Sequence, residues 1–306
     1  MILKRSLIWL LTIPLLLSGC GTTDSVPEPK IVVTTFVPYY VFTQNLAGNN
    51  VQLINLINNT QEPHDYQLKP SDIATLQKAD LIIRNGLGID DWVAEAAEKS
   101  GTKARIFTAS DYITPLTPQH GIEFDASEEL EDEHNDAFDP HLWVSPKNVL
   151  QVLPHLQEAL SAIDTNHTTN YQENLTKYTA TLMNLDATIT QQLASYKQKQ
   201  FISFHEAFQY FARDYGLVSA ISIEAYPGKE PTPKYLQALI KLIKEKQLKV
   251  IFSEPQFSPR IVETLAQDLN LKVYSLDPME TGTASATFYE DITLSNLKNI
   301  VAAFNL

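Results

Sequence analysis

Hydrophobic and polar positions along this chain switch between two periods. Short β-rich runs at residues 31–36, 51–57, 81–84 and 104–107 read as strands, and they alternate with stretches of helical period at 40–47, 71–79 and 90–99. The later part of the chain repeats the theme, with strands expected at 201–204, 218–223, 250–252 and 272–276 and helices at 206–215, 233–246, 259–269 and 289–304. This alternation predicts an α/β protein of two lobes, each with a mainly parallel sheet flanked by helices.

Between the two halves, Tyr171, Leu175, Tyr178, Leu182, Leu185, Ile189, Leu193 and Tyr196 recur at spacings of three and four, while Gln, Thr, Asn and Lys fill the other positions. That is one apolar face of a long helix. It divides the chain into an N-terminal lobe at 31–164, a rigid linking helix at 165–198 and a C-terminal lobe at 199–306. A coiled-coil dimerisation helix is the alternative, but few charges flank the apolar seam, so the chain reads as a monomer.

The first residues belong to targeting rather than fold. Lys4 and Arg5 precede an apolar run from Leu7 to Leu17, closed by Ser18, Gly19 and Cys20, which reads as a signal peptide at 1–19. The run is shorter than the roughly 20 residues a spanning helix needs. Cys20 is the only cysteine, so no disulfide can form within the chain. Its place after Leu17-Ser18-Gly19 resembles the lipobox of bacterial lipoproteins, which implies an acylated Cys20, a tether at 20–30 and an extracytoplasmic location on the periplasmic side or the cell surface, held to the membrane only by lipid.

A formal net charge of -13 argues against a nucleic-acid partner. Much of it gathers at 120–139, where Glu123, Asp125, Glu128, Glu129, Glu131, Asp132, Glu133, Asp136 and Asp139 crowd together without apolar periodicity, as in a solvated loop.

No phosphate-cradling glycine loop is present; Asn85-Gly86-Leu87-Gly88 is too short and reads as a turn. The zinc-protease pattern of two histidines one turn apart around a glutamate is also missing. Candidate chemistry therefore comes from separated residues. His64, His141, His205 and Asp277 each fall at, or in the connection after, the carboxyl end of an expected strand, where open α/β sheets place their ligands. Three neutral imidazoles and one carboxylate make a closed four-coordinate set suited to Zn2+, with Asp277 cancelling half of the dication's charge.

The words around these residues carry a resemblance. Pro63-His64-Asp65-Tyr66 with Lys69-Pro70-Ser71-Asp72, Pro140-His141-Leu142-Trp143-Val144-Ser145-Pro146, Phe204-His205-Glu206-Ala207-Phe208, Ser253-Glu254-Pro255-Gln256-Phe257 and Leu276-Asp277-Pro278 are similar to the zinc and manganese receptors of the cluster A-I solute-binding family, from Ile31 to the C-terminus. The resemblance implies two lobes on a rigid helix, a metal held between them, and delivery to an ABC permease and its ATPase. It also implies zinc over manganese (Mn2+), because manganese receptors usually carry a glutamate where His205 stands. Some relatives use a glutamate beside the first histidine, but Pro63 occupies that place and leaves Glu62 as a secondary candidate. The acidic loop resembles the His-rich loop of zinc receptors, which makes His120 and His134 further secondary candidates.

Two other classes compete with the receptor reading. A zinc hydrolase could use Glu206 as a general base, but catalysis needs an open coordination position that four protein ligands would fill. A surface adhesin is the other, and nothing in the composition separates it.

Overall fold

The computed structural model describes residues 28–118, 138–224 and 228–306, without the side chains of 219 and 220. The leader, Cys20, His120 and His134 lie outside the described residues.

The first half runs β1 (Lys30–Thr34), α1 (Val37–Ala47), β2 (Val51–Asn55), α2 (Pro70–Leu76), β3 (Leu81–Arg84), α3 (Trp92–Ser100), β4 (Arg105–Thr108) and α4 (Pro146–Ile163). Its strands form one parallel sheet in the order β2-β1-β3-β4. After α5 (Thr168–Leu193) come β5 (Gln200–Ser203), α6 (Gln209–Tyr215), β6 (Val218–Ser222), α7 (Pro233–Glu245), β7 (Val250–Ser253), α8 (Arg260–Leu269), β8 (Lys272–Ser275) and α9 (Phe288–Phe304). β5 pairs with β6 and β7 with β8, both parallel, and β5 lies beside β7. The order β6-β5-β7-β8 thus repeats that of the first half.

A period of two decides which layer each strand residue joins. Val33 and Ile82 face α2 and α3, meeting Leu76, Val93, Ala96 and Ala97. Their neighbours Val32, Leu81 and Ile83 face the other way, toward α1, α4 and α5. In the second half Ile202, Ile221 and Ile251 pack under α7 and α8 through Leu239, Ile243, Val262 and Leu265. Phe201, Val250 and Phe252 instead share a core with Val32 and Ile83. The inner faces of the four-stranded sheet and of the two strand pairs therefore meet one continuous apolar layer.

α5 runs through that layer. It buries Tyr171, Leu175, Tyr178, Leu182, Leu185, Ile189 and Leu193, seven of the eight positions its period assigns, Tyr196 lying half-buried in the 3-10 turn beyond it, and it packs on α1 and α4 from one half and α6 and α9 from the other. Swinging the halves apart would expose shared apolar surface at about 25 cal/mol per Å². A helix embedded this way is a spine rather than a flexible hinge.

Some boundaries differ from the expected ones. β1 and β2 stop at Thr34 and Asn55, and the buried Phe36 and Ile57 belong instead to bends that carry the chain off the sheet. α4 is an element the periodicity reading leaves unassigned. Its buried Val149, Val152, Leu153, Leu156 and Leu160 follow the helical period, but Pro154 sits among them and cannot donate a backbone hydrogen bond. Among the described residues no helix is long and apolar enough to cross a membrane.

Candidate metal centre

Because the strands within each half run parallel, the connections that leave their carboxyl ends gather on one side of each sheet. His64 lies in the connection from β2 to α2. His141 precedes the short 3-10 turn Leu142–Val144 that leads into α4, and His205 and Glu280 lie in the connections after β5 and β8. These four residues place one donor atom each within 4.8 Å of one another.

Five of the six donor-to-donor distances lie near the edge of a zinc-sized tetrahedron. His141 Nε2 stands 3.0 Å from His64 Nε2 and 3.1 Å from His205 Nε2. Glu280 Oε1 lies 3.3 Å from His141 Nε2, 3.5 Å from His64 Nε2 and 3.6 Å from His205 Nε2. A regular tetrahedron with roughly 2.0–2.1 Å from centre to corner, as zinc requires, has edges of about 3.3–3.4 Å. Glu280 Oε1 is buried, makes no hydrogen bond of normal geometry and has the three imidazoles facing it, a setting that a bound cation would fill.

Neighbouring groups aim the imidazoles. His141 Nδ1 lies 2.8 Å from Asp139 Oδ1, and the same oxygen accepts the His141 backbone N–H at 2.9 Å. His205 Nδ1 lies 2.6 Å from Glu254 Oε2, and Glu254 Oε1 accepts the His205 N–H at 3.1 Å. When Nδ1 carries the proton toward a carboxylate, the Nε2 lone pair is left facing the centre. His64 has its backbone N–H bound to Glu62 Oε2 at 2.9 Å. Its side chain is also the most open of the four, 15% exposed against 1% for His205, so the centre faces solvent on the His64 side.

The loop bearing His141 is tied to both halves. Asn85 Nδ2 donates to the Pro140 carbonyl at 3.0 Å, and Tyr39 donates its hydroxyl to Asn85 Oδ1. The turn at Asn85-Gly86 is held by the buried Asp90, which accepts both backbone N–H groups at 2.7 Å. Gly86 has φ +86 and a Cβ there would run into Ser110 and Thr108, so only glycine fits. From the second half, Trp143 Nε1 donates to the Pro278 carbonyl at 2.8 Å, Tyr289 donates to the Trp143 carbonyl at 2.9 Å, and Tyr210 donates to the Asp139 carbonyl at 2.8 Å.

Charge is distributed unevenly. Burial lowers the His64 pKa, outweighing Glu280. Burial also works against protonation of His141 and His205, but Asp139 and Glu280 raise the first, and Glu254 and Glu280 raise the second well above the ordinary value. Burial acts to raise Glu280, yet the surrounding imidazoles hold it well below the carboxylate range. Glu62 is pushed up to about 10 by burial and by the Glu280 charge beside it, so it stands as a neutral acid next to an anion.

The carboxylate differs from the one expected. Asp277 does not join the donor group. Its Oδ1 accepts the Met279 N–H at 2.8 Å, its backbone is clamped by Asn296 at 2.8 and 2.7 Å, and burial pushes its pKa up to about 6. Asp277 shapes the turn, in which Met279 adopts φ 67, that delivers Glu280. Glu62 stands beside the group without joining it, and His155 and His167 are surface residues bonded to Glu158 and Asp164.

Comparison with known proteins follows the same line. The family model ZnuA, described as "Zinc-uptake complex component A periplasmic", matches residues 32–303. The chain is 34% identical over 265 residues to "Zinc-binding protein AdcA" of Streptococcus pyogenes, covering 83% of this chain and 51% of that one, so it spans about half the length of the AdcA relative. It is 31% identical over 272 residues to "High-affinity zinc uptake system protein ZnuA" of Bacillus subtilis, covering 87% and 85%. Among solved structures, a crystal structure of ZnuA matches with a TM-score of 0.77 at 28% identity, covering 90% of this chain and 99% of that one.

Proposed function

The chain belongs to the ZnuA family of periplasmic zinc-uptake components, and from that premise we propose that it captures Zn2+ outside the cytoplasmic membrane and delivers it to an ABC permease and its ATPase. The observation that carries this reading is the convergence of His64, His141 and His205 Nε2 with the buried Glu280 Oε1, all within 4.8 Å of one another. Four protein donors fill a zinc coordination sphere, so the chemistry is capture and release rather than hydrolysis. Three nitrogen donors favour zinc over manganese, which prefers oxygen-rich sites of higher coordination. In this reading the lobes are 31–164 and 199–306 with 165–198 as the linking segment, and Cys20 carries the lipid that keeps the receptor at the membrane. Metal analysis of protein purified without added metal, followed by competition between Zn2+ and Mn2+, tests it: one zinc per chain, undisplaced by excess manganese, is the expected result, and preferential retention of manganese would overturn it.

Zinc affinity is expected to fall as pH drops. Zn2+ needs the Nε2 lone pairs that protons occupy in the metal-free protein, and the raised pKa values of His141 and His205 keep those protons in place to a higher pH than the roughly 6.5 of a free imidazole. His64, with its lowered pKa, is already neutral there. Calorimetry near neutral pH in buffers of different ionisation enthalpy should show roughly one to two protons released per zinc. A binding enthalpy independent of buffer would contradict this charge distribution.

A further inference from the structure

Gln256 stands behind the metal centre and touches no metal donor atom. Its Nε2 donates to Glu254 Oε2 at 3.1 Å and to Glu280 Oε2 at 3.3 Å. One amide group thus ties together the carboxylate that orients His205 and the carboxylate that faces the three imidazoles. Its own Oε1 is buried without a partner. Turning the amide over would satisfy nothing, because it would set an oxygen against two carboxylates, so the side chain is fixed in the orientation that sends its donors to Glu254 and Glu280.

We infer that Gln256 is a positioning residue that sets metal specificity by holding Glu280 to a single coordinating oxygen. This rests on the zinc-receptor reading above and extends it. A carboxylate can offer an ion one oxygen or both, and the partner of the second oxygen decides which. With Oε2 tied to Gln256, only Oε1 faces the imidazoles, and the donor count stays at four, the number zinc prefers. Released, Glu280 could rotate Oε2 inward and supply a fifth, oxygen donor. That arrangement suits Mn2+ better, since manganese favours more oxygen ligands.

The test uses the metal-free mature chain with Gln256→Leu, a side chain of similar size that cannot donate, checked for folding by circular dichroism. Co2+ serves as a spectroscopic probe, because four-coordinate Co2+ lacks an inversion centre and absorbs visible light much more strongly than higher-coordinate forms. The expected result is intense absorption in the unaltered chain and a severalfold weaker band in the variant. The ratio of Zn2+ to Mn2+ affinity should also move about tenfold toward manganese. A wild-type Co2+ spectrum in the variant, or equal weakening of both metals, would overturn the inference, since a merely structural role loosens the site for every ion alike. Should the leucine variant not fold, Gln256→Met, equally unable to donate and more adaptable in packing, takes the same measurements. Absence of Co2+ and Zn2+ binding by the unaltered chain would instead remove the metal-site reading itself.

Discussion

Replacing His141 with alanine is expected to weaken zinc binding by on the order of 10²- to 10³-fold, the largest single loss in the site. Its Nε2 is the hub of the donor group, 3.0 Å from His64 Nε2, 3.1 Å from His205 Nε2 and 3.3 Å from Glu280 Oε1. Four-ligand structural zinc sites bind with roughly 10–16 kcal/mol, so on that scale one of four ligands carries about 2.5–4 kcal/mol. The substitution also leaves Asp139, buried to 2% exposure, without the imidazole its side chain contacts. The metal-free variant should therefore be less stable as well as weaker in binding. Calorimetry gives the affinity and thermal unfolding the stability, and zinc affinity within threefold of the unaltered chain would remove His141 from the site.

Glu280→Gln and Asp277→Asn, measured side by side, should separate by more than an order of magnitude. The glutamine keeps the shape of Glu280 but loses the charge that faces three imidazoles, at an expected cost of about 2–3 kcal/mol, or roughly 30- to 150-fold in zinc affinity. The number of protons released on binding should fall too. Glu280 is one of the anions that raise His141 and His205 in the metal-free protein, so without it both imidazoles hold their protons less firmly. Asp277→Asn retains an oxygen to accept the Met279 N–H, and its effect on zinc affinity should stay within about threefold. The reverse ranking would return the fourth ligand to Asp277.

That contrast marks where sequence reading reaches its limit. The three histidines that the structure brings together are legible as candidates because each sits in a connection beyond a strand whose period is clear, and a parallel sheet sends all such connections to one side. Glu280 is not, because it lies beyond the first carboxylate after β8 and reaches the centre through a turn in which Met279 takes a positive φ. Nothing in Leu276-Asp277-Pro278-Met279-Glu280 announces that turn, and the aspartate stands nearer the end of the strand. The one signal the sequence holds is a second acid, Glu280, three residues beyond Asp277 in the same loop.

The orienting acids show the same division. Asp139 precedes His141 by two residues and in the sequence is one acid among the many of an acidic loop, whereas Glu254 lies in a motif far from His205 that only the fold sets against it. The spine of α5 was readable residue by residue from its apolar face. α4 was not, because Pro154 breaks the local preference that its buried leucines and valines otherwise support. Periodicity reports which residues share a face; it carries no information on which distant loops then meet.

The most direct test is a crystal structure of the zinc-loaded chain, with the ion located by anomalous scattering at the zinc edge. A single peak should lie roughly 2.0–2.1 Å from Nε2 of His64, His141 and His205 and at a comparable distance from Glu280 Oε1, with the other Glu280 oxygen still against Gln256. A zinc ion bound elsewhere, or bound at this centre through Asp277 while Glu280 turns away, would contradict the account.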